Sequence, residues 1–374
     1  MKSVGLDGRR RPPPPPHRES ACESGTIPLS RRAPRPYGCL VATHEAPAQA
    51  AGTYVNPILD EDFPDPAVIH AADGLYYAYA TQTLRDGQWI NIQVARSPDL
   101  VNWQLLGDAL PEKPSWARET QDFWAPFVLY DGQRYLMYYS ATHDACNDPH
   151  RGHCLAVATS DSPAGPFTDM GVPLLLGVGF EYIDPMVFAD PASGKFYLYW
   201  GSGFQPIKVQ ELGPDHISFA PDSSPVDLIW PNPMPGGFPR LVEAAWVIHH
   251  DYYYYLFYSG DNCCGPDAEY GVMVARSRSP TGPFETLEEA KGVPHSLMLQ
   301  KCGRWLAPGH NCIVTDKAGQ TWIVYHAIDV KRPRQRQEDE INSRRILLID
   351  KIEWRDGWPH VGTPSVKDRP APVT

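Results

Sequence analysis

Short apolar strands alternate with aromatic-rich strands along most of the chain, and turns containing Asp or Gly join them. The pattern occurs five times, and each occurrence is typical of a β-hairpin. The first strands are predicted at Asp65–Ile69, Trp124–Leu129, Asp184–Phe188, Glu243–Ile248 and His310–Val314. The second, aromatic strands are predicted at Gly74–Ala80, Gly132–Ser140, Gly194–Trp200, Tyr252–Ser259 and Gly319–His326. The chain is therefore built from repeated hairpins.

Equivalent apolar positions of the five hairpins recur at an almost constant interval of 60, 59, 60 and 66 residues. These positions are Val68, Val128, Val187, Val247 and Ile313. Because a hairpin with one apolar face cannot bury that face alone, and three repeats continue into a third strand, the pattern indicates radial blades around one axis. We predict an all-β fold, a five-bladed β-propeller, as a single catalytic domain over residues 51–374. An antiparallel sandwich is the alternative, although it would not need so even a period.

The first fifty residues differ in composition from the rest. They hold nine prolines, eight Lys or Arg and four Asp or Glu, with almost no apolar periodicity. Such a segment buries too little apolar surface to fold, so we predict a disordered tail or signal-like leader over residues 1–50. The small residues Ala48–Ala50 resemble a secretory cleavage site, but the apolar run before them is short for a signal peptide. Secretion or a periplasmic location is the expectation, and a cytoplasmic location is the alternative.

Charge and hydropathy exclude two classes of partner. The chain carries 33 Lys or Arg and 44 Asp or Glu, a formal net charge of −11. Such acidity repels a phosphate backbone, so nucleic acid is not an expected partner. No apolar run approaches the twenty or so residues of a membrane span, so a membrane protein is excluded. A neutral partner fits better, and no feature indicates the oligomeric state.

Chemically capable residues open the first strand of each predicted hairpin. In a propeller the innermost strand of each blade lines the central channel, so these residues should converge at one mouth of the axis. They are Asp65, Trp124, Asp184, Glu243 and His310. Crowded carboxylates shift one another's pKa values, and paired carboxylates beside an aromatic ring suit glycoside hydrolysis. Any one of these acids, taken alone, could equally be a turn or strand cap.

A series of short motifs resembles glycoside hydrolase family 43, which includes arabinanases, α-L-arabinofuranosidases and β-xylosidases. The series covers about residues 54–362 and consists of Phe63–Val68, Trp124–Pro126, Ile183–Pro185, Glu243–Val247, Pro308–Asn311, Arg345 and Trp354–Pro359. The resemblance implies an inverting mechanism. It implies Asp65 as general base, Glu243 as general acid, and Asp184 as the acid that orients Glu243 and raises its pKa.

The resemblance also implies the substrate contacts. Trp124 would form a sugar-binding wall, with inter-blade packing as the alternative. Arg345 would reach into the same pocket, although the adjacent Arg344 would take its place if the register were shifted by one residue. Ser202 is a weaker candidate for a substrate contact.

His310 matches a family histidine that in several members lies near a calcium ion. A single imidazole is a poor calcium site, because that ion prefers six to eight oxygen ligands. A hydrogen-bonded channel histidine is the alternative. No cofactor is expected to be needed for the chemistry itself.

The predicted function is hydrolysis of arabinofuranosyl or xylosyl linkages in plant-type polysaccharides or oligosaccharides, with carbohydrate as the partner. One alternative is a related propeller hydrolase of galactose-containing chains. Another is a carbohydrate-binding propeller without catalysis, which retention of all three acids disfavours. Two polar loops, at His143–Cys154 and Asp261–Pro266, depart from the commonest family pattern, and such loops usually decide which ligand fits.

Six cysteines of the predicted propeller fall into pairs with short spacings, which could close loops in an oxidising compartment. The pairs are Cys146 with Cys154, Cys263 with Cys264, and Cys302 with Cys312. Zinc is the alternative at the first pair, because His143, His150 and His153 lie nearby, but the two cysteines lack CxxC spacing.

We predict a disulfide between Cys146 and Cys154 in exported protein. Closing this short loop should stabilise the fold by about 2 to 3 kcal/mol through the lost entropy of the unfolded chain. Mass mapping of non-reduced peptides checks the bond, and free thiols at both positions in oxidised, secreted material would contradict it.

Overall fold

The computed structural model describes residues 52–145, 152–234, 238–337 and 340–374. The predicted tail, and Cys146 and His150 in the polar loop of the second hairpin, lie outside the described residues, so the disulfide stays a prediction.

The chain forms β-strands in the order expected from the hairpins. The segment before the first blade contains β1 (Thr53–Tyr54). Blade 1 contains β2 (Ala67–His70), β3 (Tyr76–Ala80), the small hairpin of β4 (Thr83–Arg85) and β5 (Gln88–Ile90), β6 (Gln93–Ser97) and β7 (Gln104–Asp108). Blade 2 contains β8 (Phe123–Tyr130), β9 (Tyr135–Thr142), β10 (His153–Ser160), β11 (Thr168–Asp169) and β12 (Leu175–Leu176). Blade 3 contains β13 (Met186–Ala189), β14 (Phe196–Trp200), β15 (Ile207–Glu211) and β16 (Val226–Ile229).

The last two blades carry the additional elements. Blade 4 contains β17 (Val242–His250), β18 (Tyr253–Gly260), β19 (Gly271–Ser277), β20 (Glu285–Thr286), the short helix α1 (Leu287–Lys291) and β21 (Leu297–Leu299). Blade 5 contains β22 (Trp305–Thr315), β23 (Thr321–Asp329), the hairpin of β24 (Arg334–Gln337) and β25 (Glu340–Ser343), β26 (Arg345–Arg355) and β27 (Trp358–Val361). The final strand is β28 (Arg369–Pro370), which pairs with β1. Among the described residues, no helix is long and apolar enough to cross a membrane.

The first strands of the five blades form a closed ring. β2 contacts β8, β8 contacts β13, β13 contacts β17, β17 contacts β22, and β22 contacts β2 again. Each of the five sheets is antiparallel and begins at its inner strand, in the order first, second, third, fourth. The five equivalent apolar positions each lie in the first strand of a different blade. The predicted five-bladed propeller is therefore confirmed, and the sandwich is excluded.

Tyrosines of the second strands link each blade to the next. The hydroxyl of Tyr79 donates to the Pro163 carbonyl of blade 2, and that of Tyr199 donates to the Pro280 carbonyl of blade 4. The rings are almost fully buried between the sheets, where they supply apolar area, while each hydroxyl requires a partner. Tyr138 and Tyr255 make the corresponding bonds to blades 3 and 5. The aromatic residues that repeat in the sequence thus form the packing between blades.

Asn56 joins the start of the propeller to blade 5. Its side-chain amide donates to the Ile349 carbonyl at 2.9 Å and to the Ser365 hydroxyl at 2.9 Å, and its oxygen accepts from the Ile349 N–H at 3.0 Å. The segment continues with a bridge from Leu59 to Leu347 on β26. Because Asn56 is only 1% exposed, these bonds form away from water and cover polar groups that would otherwise be unpaired.

The pairing of Cys302 with Cys312 is wrong. Both are free thiols; Cys302 is exposed, whereas Cys312 is fully buried in the core between blades 5 and 1. The extended strand β22 carries the chain about 20 Å from Trp305 to Cys312, which no disulfide can span.

Replacing Asn56 with Ala should lower the free energy of unfolding by about 2 to 4 kcal/mol, because it leaves several buried polar groups without partners. Urea denaturation measures this. Asn102→Ala is the matched control, since Asn102 is exposed, and it should cost less than about 1 kcal/mol. Equal losses in the two variants would contradict the role of Asn56.

Candidate active site

A left-handed residue marks the same position in all five blades, three residues before each equivalent apolar position. Non-glycine residues rarely adopt positive φ, and such strain persists only where the surroundings impose it. The five residues, with φ in degrees, are Asp65 (58), Ala125 (46), Asp184 (57), Ala244 (57) and His310 (45). The repeat thus places a left-handed residue just before β2 and β13 and within β8, β17 and β22.

This register corrects the sequence analysis by one residue in two blades. Trp124 and Glu243 lie immediately before the left-handed residues Ala125 and Ala244, not at the position equivalent to Asp65. Strands β8 and β17 begin earlier than β2 and β13, and their pairing registers shift around these alanines. A bulge therefore lets the residue before the turn face the axis.

Four of the five strained turns are held by a side chain of the preceding blade. The Ala125 N–H donates to Thr81 Oγ1 at 2.8 Å, and the His310 N–H donates to Ser259 Oγ at 2.9 Å. The Asp65 N–H donates to His326 Nδ1 at 3.1 Å. In blade 4 the Ala244 N–H donates to Asp184 Oδ2 at 2.9 Å. Neighbouring blades therefore determine the geometry of the turns.

Three carboxylates and two basic groups meet at this mouth of the axis; we call them the axial cluster, which consists of Asp65, Asp184, Glu243, His310 and Arg345. His310 Nδ1 lies 3.2 Å from Asp65 Oδ1 and 3.9 Å from Asp184 Oδ2. Arg345 Nη1 lies 3.0 Å from Asp65 Oδ1. The three acids are each less than a tenth exposed. The structure thus brings together residues separated by up to 280 positions in the chain.

Asp65 is held in its ionised form. Burial by itself would raise the pKa of Asp65, but the charges of Arg345 and His310 outweigh burial and hold the pKa well below its usual range. The Thr81 hydroxyl also donates to Asp65 Oδ2 at 2.6 Å, which favours the carboxylate further. Asp65 is therefore a base with few free lone pairs and a fixed orientation.

Asp184 and Glu243 behave in the opposite way. Burial is the main cause that raises the pKa of Asp184 to about 8 and the pKa of Glu243 to about 7. The nearby negative charges add to burial, while His310 opposes it. Because two buried cations face three carboxylates, one proton retained on this pair balances the cluster. The site therefore holds an ionised acid and a protonated acid together.

His310 carries the positive charge that the acids require. Burial opposes its protonation, but Asp184 and Asp65 outweigh burial and raise the pKa of His310 to about 9. A protonated imidazole repels cations. Within the described ranges, no group of three or more His, Cys, Asp or Glu side chains is arranged to hold a metal ion. The side chains around His310 therefore do not fit direct calcium coordination, and an ion-paired channel histidine describes them better.

Glu243 has a partner that sequence reasoning missed. The Tyr270 hydroxyl donates to Glu243 Oε1 at 2.7 Å, and the Tyr270 ring stacks on His326 at 5.7 Å between centroids. The ring occupies space that only glycine leaves open, because a Cβ on Gly309 would lie 2.1 Å from it. The glycine in Pro308–Asn311 is thus a signal of close approach, but it does not identify the ring.

Three further residues that sequence reasoning missed lie directly after the aromatic runs of the second strands. Thr81, Ser259 and His326 occupy equivalent positions opposite the left-handed turns, and all three bond to them. Their signal in the sequence is a polar residue that terminates each aromatic run, which can be found only once the pairing register is known.

The predicted substrate contacts occupy three different environments. Trp124 is partly exposed, and its indole packs on the His153 ring of its own blade at 3.9 Å between centroids. Ser202 is completely buried beside Glu243, and its hydroxyl acts to lower the pKa of that carboxyl. Among the described residues, no atom meets the distance and angle criteria for a hydrogen bond to this hydroxyl. Arg345 contacts Asp65, whereas Arg344 pairs with Asp60 at 2.6 Å.

The Asp184 and Glu243 pair should contribute stability that is lost as the pH rises from about 4 to about 8. The folded state keeps a proton on the Asp184 and Glu243 pair that the unfolded chain has already released. Because these folded-state pKa values are raised, the stabilisation is full below the unfolded pKa and is lost as the pH rises through the folded pKa, at about 1.4 kcal/mol per pH unit for each proton. Asp184→Asn removes one titrating group and should flatten the dependence of Tm on pH.

Asp227→Asn is the control for this measurement, since Asp227 is an exposed carboxylate of the same blade. The control should keep the wild-type slope. An Asp184→Asn curve as steep as the wild-type curve would show that the pair does not retain the proton.

Comparison with known proteins agrees with the motif series. The family model described as glycosyl hydrolases family 43 matches residues 54–359. The chain is 29% identical over 314 residues to a probable arabinan endo-1,5-alpha-L-arabinosidase A of Aspergillus flavus, covering 79% of this chain and 90% of that protein. It is 29% identical over 333 residues to the extracellular endo-alpha-(1->5)-L-arabinanase 1 of Bacillus subtilis, covering 86% of this chain and 93% of that protein. The crystal structure of a thermostable family-43 glycoside hydrolase aligns with a TM-score of 0.68 at 28% identity, covering 86% of this chain and 99% of that chain. Because the family model spans most of the propeller, the chain belongs to glycosyl hydrolases family 43 and is a glycosidase.

Proposed function

We propose that this glycosidase hydrolyses arabinofuranosyl linkages of arabinan with inversion of the anomeric configuration. The observation that carries the proposal is the opposite ionisation of the acids in the axial cluster. Arg345 and His310 hold Asp65 ionised, whereas burial keeps a proton on the Asp184 and Glu243 pair. A base and an acid on opposite sides of a sugar are the two groups that inverting hydrolysis requires.

Asp65 is the general base in this proposal. It takes a proton from a water molecule, whose oxygen then attacks the anomeric carbon from the face opposite the leaving group. The low pKa of Asp65 keeps it available as a base over the whole neutral and mildly acidic range. Its bonds to Thr81 and Arg345 fix the carboxylate, so that little reorganisation is needed when the water is activated.

Glu243 is the general acid. It donates its proton to the glycosidic oxygen as the bond to the anomeric carbon breaks, so that the leaving group departs as an alcohol. Burial raises the pKa of Asp184 at least as far as that of Glu243, so the two acids share the retained proton, and in this proposal Glu243 is the member of the pair that delivers it. Tyr270 holds one oxygen of Glu243, which leaves the other oxygen to face the substrate. These steps use only water and side chains of the chain.

Other residues near the acid and the base are proposed to contribute to substrate binding. Trp124 presents a partly exposed indole for the apolar face of a sugar, whereas Ser202 is completely buried beside Glu243 and would act through that carboxyl rather than by direct contact with the sugar. The names of the fungal and bacterial relatives support arabinan over xylan as the polysaccharide. A panel of aryl arabinofuranosides, xylosides and galactosides, together with arabinan, xylan and galactan, distinguishes these substrates.

We also propose that the protein is secreted, as the printed name of the Bacillus relative supports. Residues 1–50 would then form a leader or disordered tail outside a single catalytic domain of residues 51–374. Mass determination of the N-terminus of exported protein tests this boundary.

Two substitutions should separate the base from the acid. Asp65→Asn should lower activity by at least about a thousandfold on every substrate, because water activation is needed whatever the leaving group. Glu243→Gln should lose a similar factor on arabinan but much less on an aryl arabinofuranoside with an acidic leaving group, which needs little protonation. Steady-state kinetics on the two substrates measure the difference.

Asp227→Asn is the control and should retain wild-type kinetics on both substrates. NMR of the first-formed product should show the inverted anomer. A retained anomer, wild-type activity in Asp65→Asn, or equal losses of Glu243→Gln on both substrates would refute the assignment.

A further inference from the structure

Two adjacent cysteines lie beside the axial cluster and have no part in the proposed chemistry. Cys263 and Cys264, here called the dithiol pair, belong to the loop that connects β18 to β19 in blade 4. Their Sγ atoms lie 2.7 Å apart, and both residues are partly exposed. The loop is one of the two that depart from the commonest family pattern. The pair is thus a reactive group within reach of solvent.

One side chain separates the dithiol pair from the acid Glu243, and two side chains separate it from the base Asp65. Cys263 packs against Tyr270, Ala307 and Ile328. Tyr270 donates to Glu243 and stacks on His326, which in turn accepts the N–H of Asp65. Ile328 is the cross-strand neighbour of Arg345. A movement of Cys263 therefore acts directly on the residues that position the axial cluster.

The loop backbone provides a second connection. The Asn262 carbonyl, next to Cys263, accepts hydrogen bonds from the N–H groups of Glu269 and Tyr270 at 3.0 and 3.1 Å. On the other side, the Gly265 N–H donates to Ser343 Oγ at 2.8 Å. Because both flanks are held, a change in the peptide between the two cysteines cannot be absorbed freely and is transmitted to Tyr270.

The two sulfurs differ in reactivity. The hydrogen bond between the two sulfurs is the main cause that lowers the pKa of Cys264 to about 6, and Arg345 adds to it against the effect of burial. The thiolate is the nucleophilic form of cysteine. Cys312, by contrast, is buried and its pKa is raised, and Cys302 is an isolated exposed thiol. Among the described cysteines, only Cys263 and Cys264 combine a nucleophile with a second thiol in contact.

We propose that the dithiol pair is a thiol–disulfide modification site that reacts with small-molecule disulfides and that its oxidation lowers glycosidase activity. The Cys264 thiolate attacks one sulfur of the small disulfide, breaks its S–S bond and releases one thiolate, which takes up a proton. The Cys263 thiol then loses its proton and attacks Cys264 Sγ, which releases the second small thiol. Two protein thiols are oxidised to one disulfide, and one small disulfide is reduced to two thiols.

The effect on activity follows from the geometry and rests on the proposed function. A bond between adjacent cysteines imposes a new conformation on the peptide that joins them. The connection through Asn262 and Cys263 then displaces Tyr270, and Glu243 loses its hydrogen bond. Losing one hydrogen bond to an ionisable group lowers kcat by about tenfold.

The test treats the full chain with oxidised glutathione and then with dithiothreitol. Peptide mapping should identify a disulfide between Cys263 and Cys264, with a mass lower by two hydrogens. The kcat on arabinan, whose leaving group needs the proton of Glu243, should fall by about tenfold and recover on reduction. Cys264→Ser should be insensitive to the oxidant, whereas Cys302→Ser, the matched control, should respond like the wild type.

A further variant tests the route of the effect. Tyr270→Phe already lacks the bond to Glu243, so its remaining activity should change less than twofold or so on oxidation. The absence of the Cys263–Cys264 disulfide, a disulfide that leaves the wild-type kcat unchanged, or an equal loss in Tyr270→Phe would overturn the proposal. Peptide mapping does not depend on the substrate, so the failure of arabinan hydrolysis would be distinguished from the failure of the thiol chemistry.

Discussion

Closure of the five inner strands into one ring is the constraint on which the rest of the molecule depends. The ring brings five left-handed turns to one mouth of the axis, and each of these turns would be costly in isolation. The side chains of Thr81, Ser259 and His326 accept hydrogen bonds from backbone N–H groups of turns in the following blade and so hold these turns. The contacts between blades therefore offset the strain of these turns. The same contacts stabilise the propeller and fix the geometry of the site.

The charge balance of the axial cluster follows from that closure. Three carboxylates less than a tenth exposed would repel one another strongly, and two basic groups do not neutralise all three. Asp65 receives both Arg345 and His310 and stays ionised, so the remaining proton resides on Asp184 and Glu243. One asymmetric arrangement of cations thus assigns different protonation states to chemically similar side chains, as glycoside hydrolysis requires.

Tyr270 connects this cluster to the variable part of the fold. Its hydroxyl contacts Glu243, its ring contacts His326, and its backbone closes the loop that contains the dithiol pair. Loops on a rigid scaffold vary more readily than the strands that they join. A residue that belongs to such a loop and also touches a central acid connects the loop to the axial cluster without altering the propeller.

The number of blades could be predicted from the sequence alone, because each blade repeats a local pattern of apolar and aromatic positions that is visible without knowledge of any contact. The sequence also determined which acids converge, since the residues that open equivalent strands must meet once the ring closes. Neither the one-residue offset of Trp124 and Glu243 nor the participation of Tyr270 could be obtained in this way. The offset depends on bulges in β8 and β17, and Tyr270 reaches Glu243 only through packing across Gly309.

The choice between Arg344 and Arg345 shows the same division. Both are present in the sequence, and adjacent residues of a strand point to opposite sides, so one residue of register decides which arginine faces the axis. Only the pairing of β26 with β23 sets that register, placing Arg345 on Asp65 and Arg344 on Asp60. Local patterns determined the elements and their order, whereas side-chain direction and charge balance were decided by contacts between residues far apart in the chain.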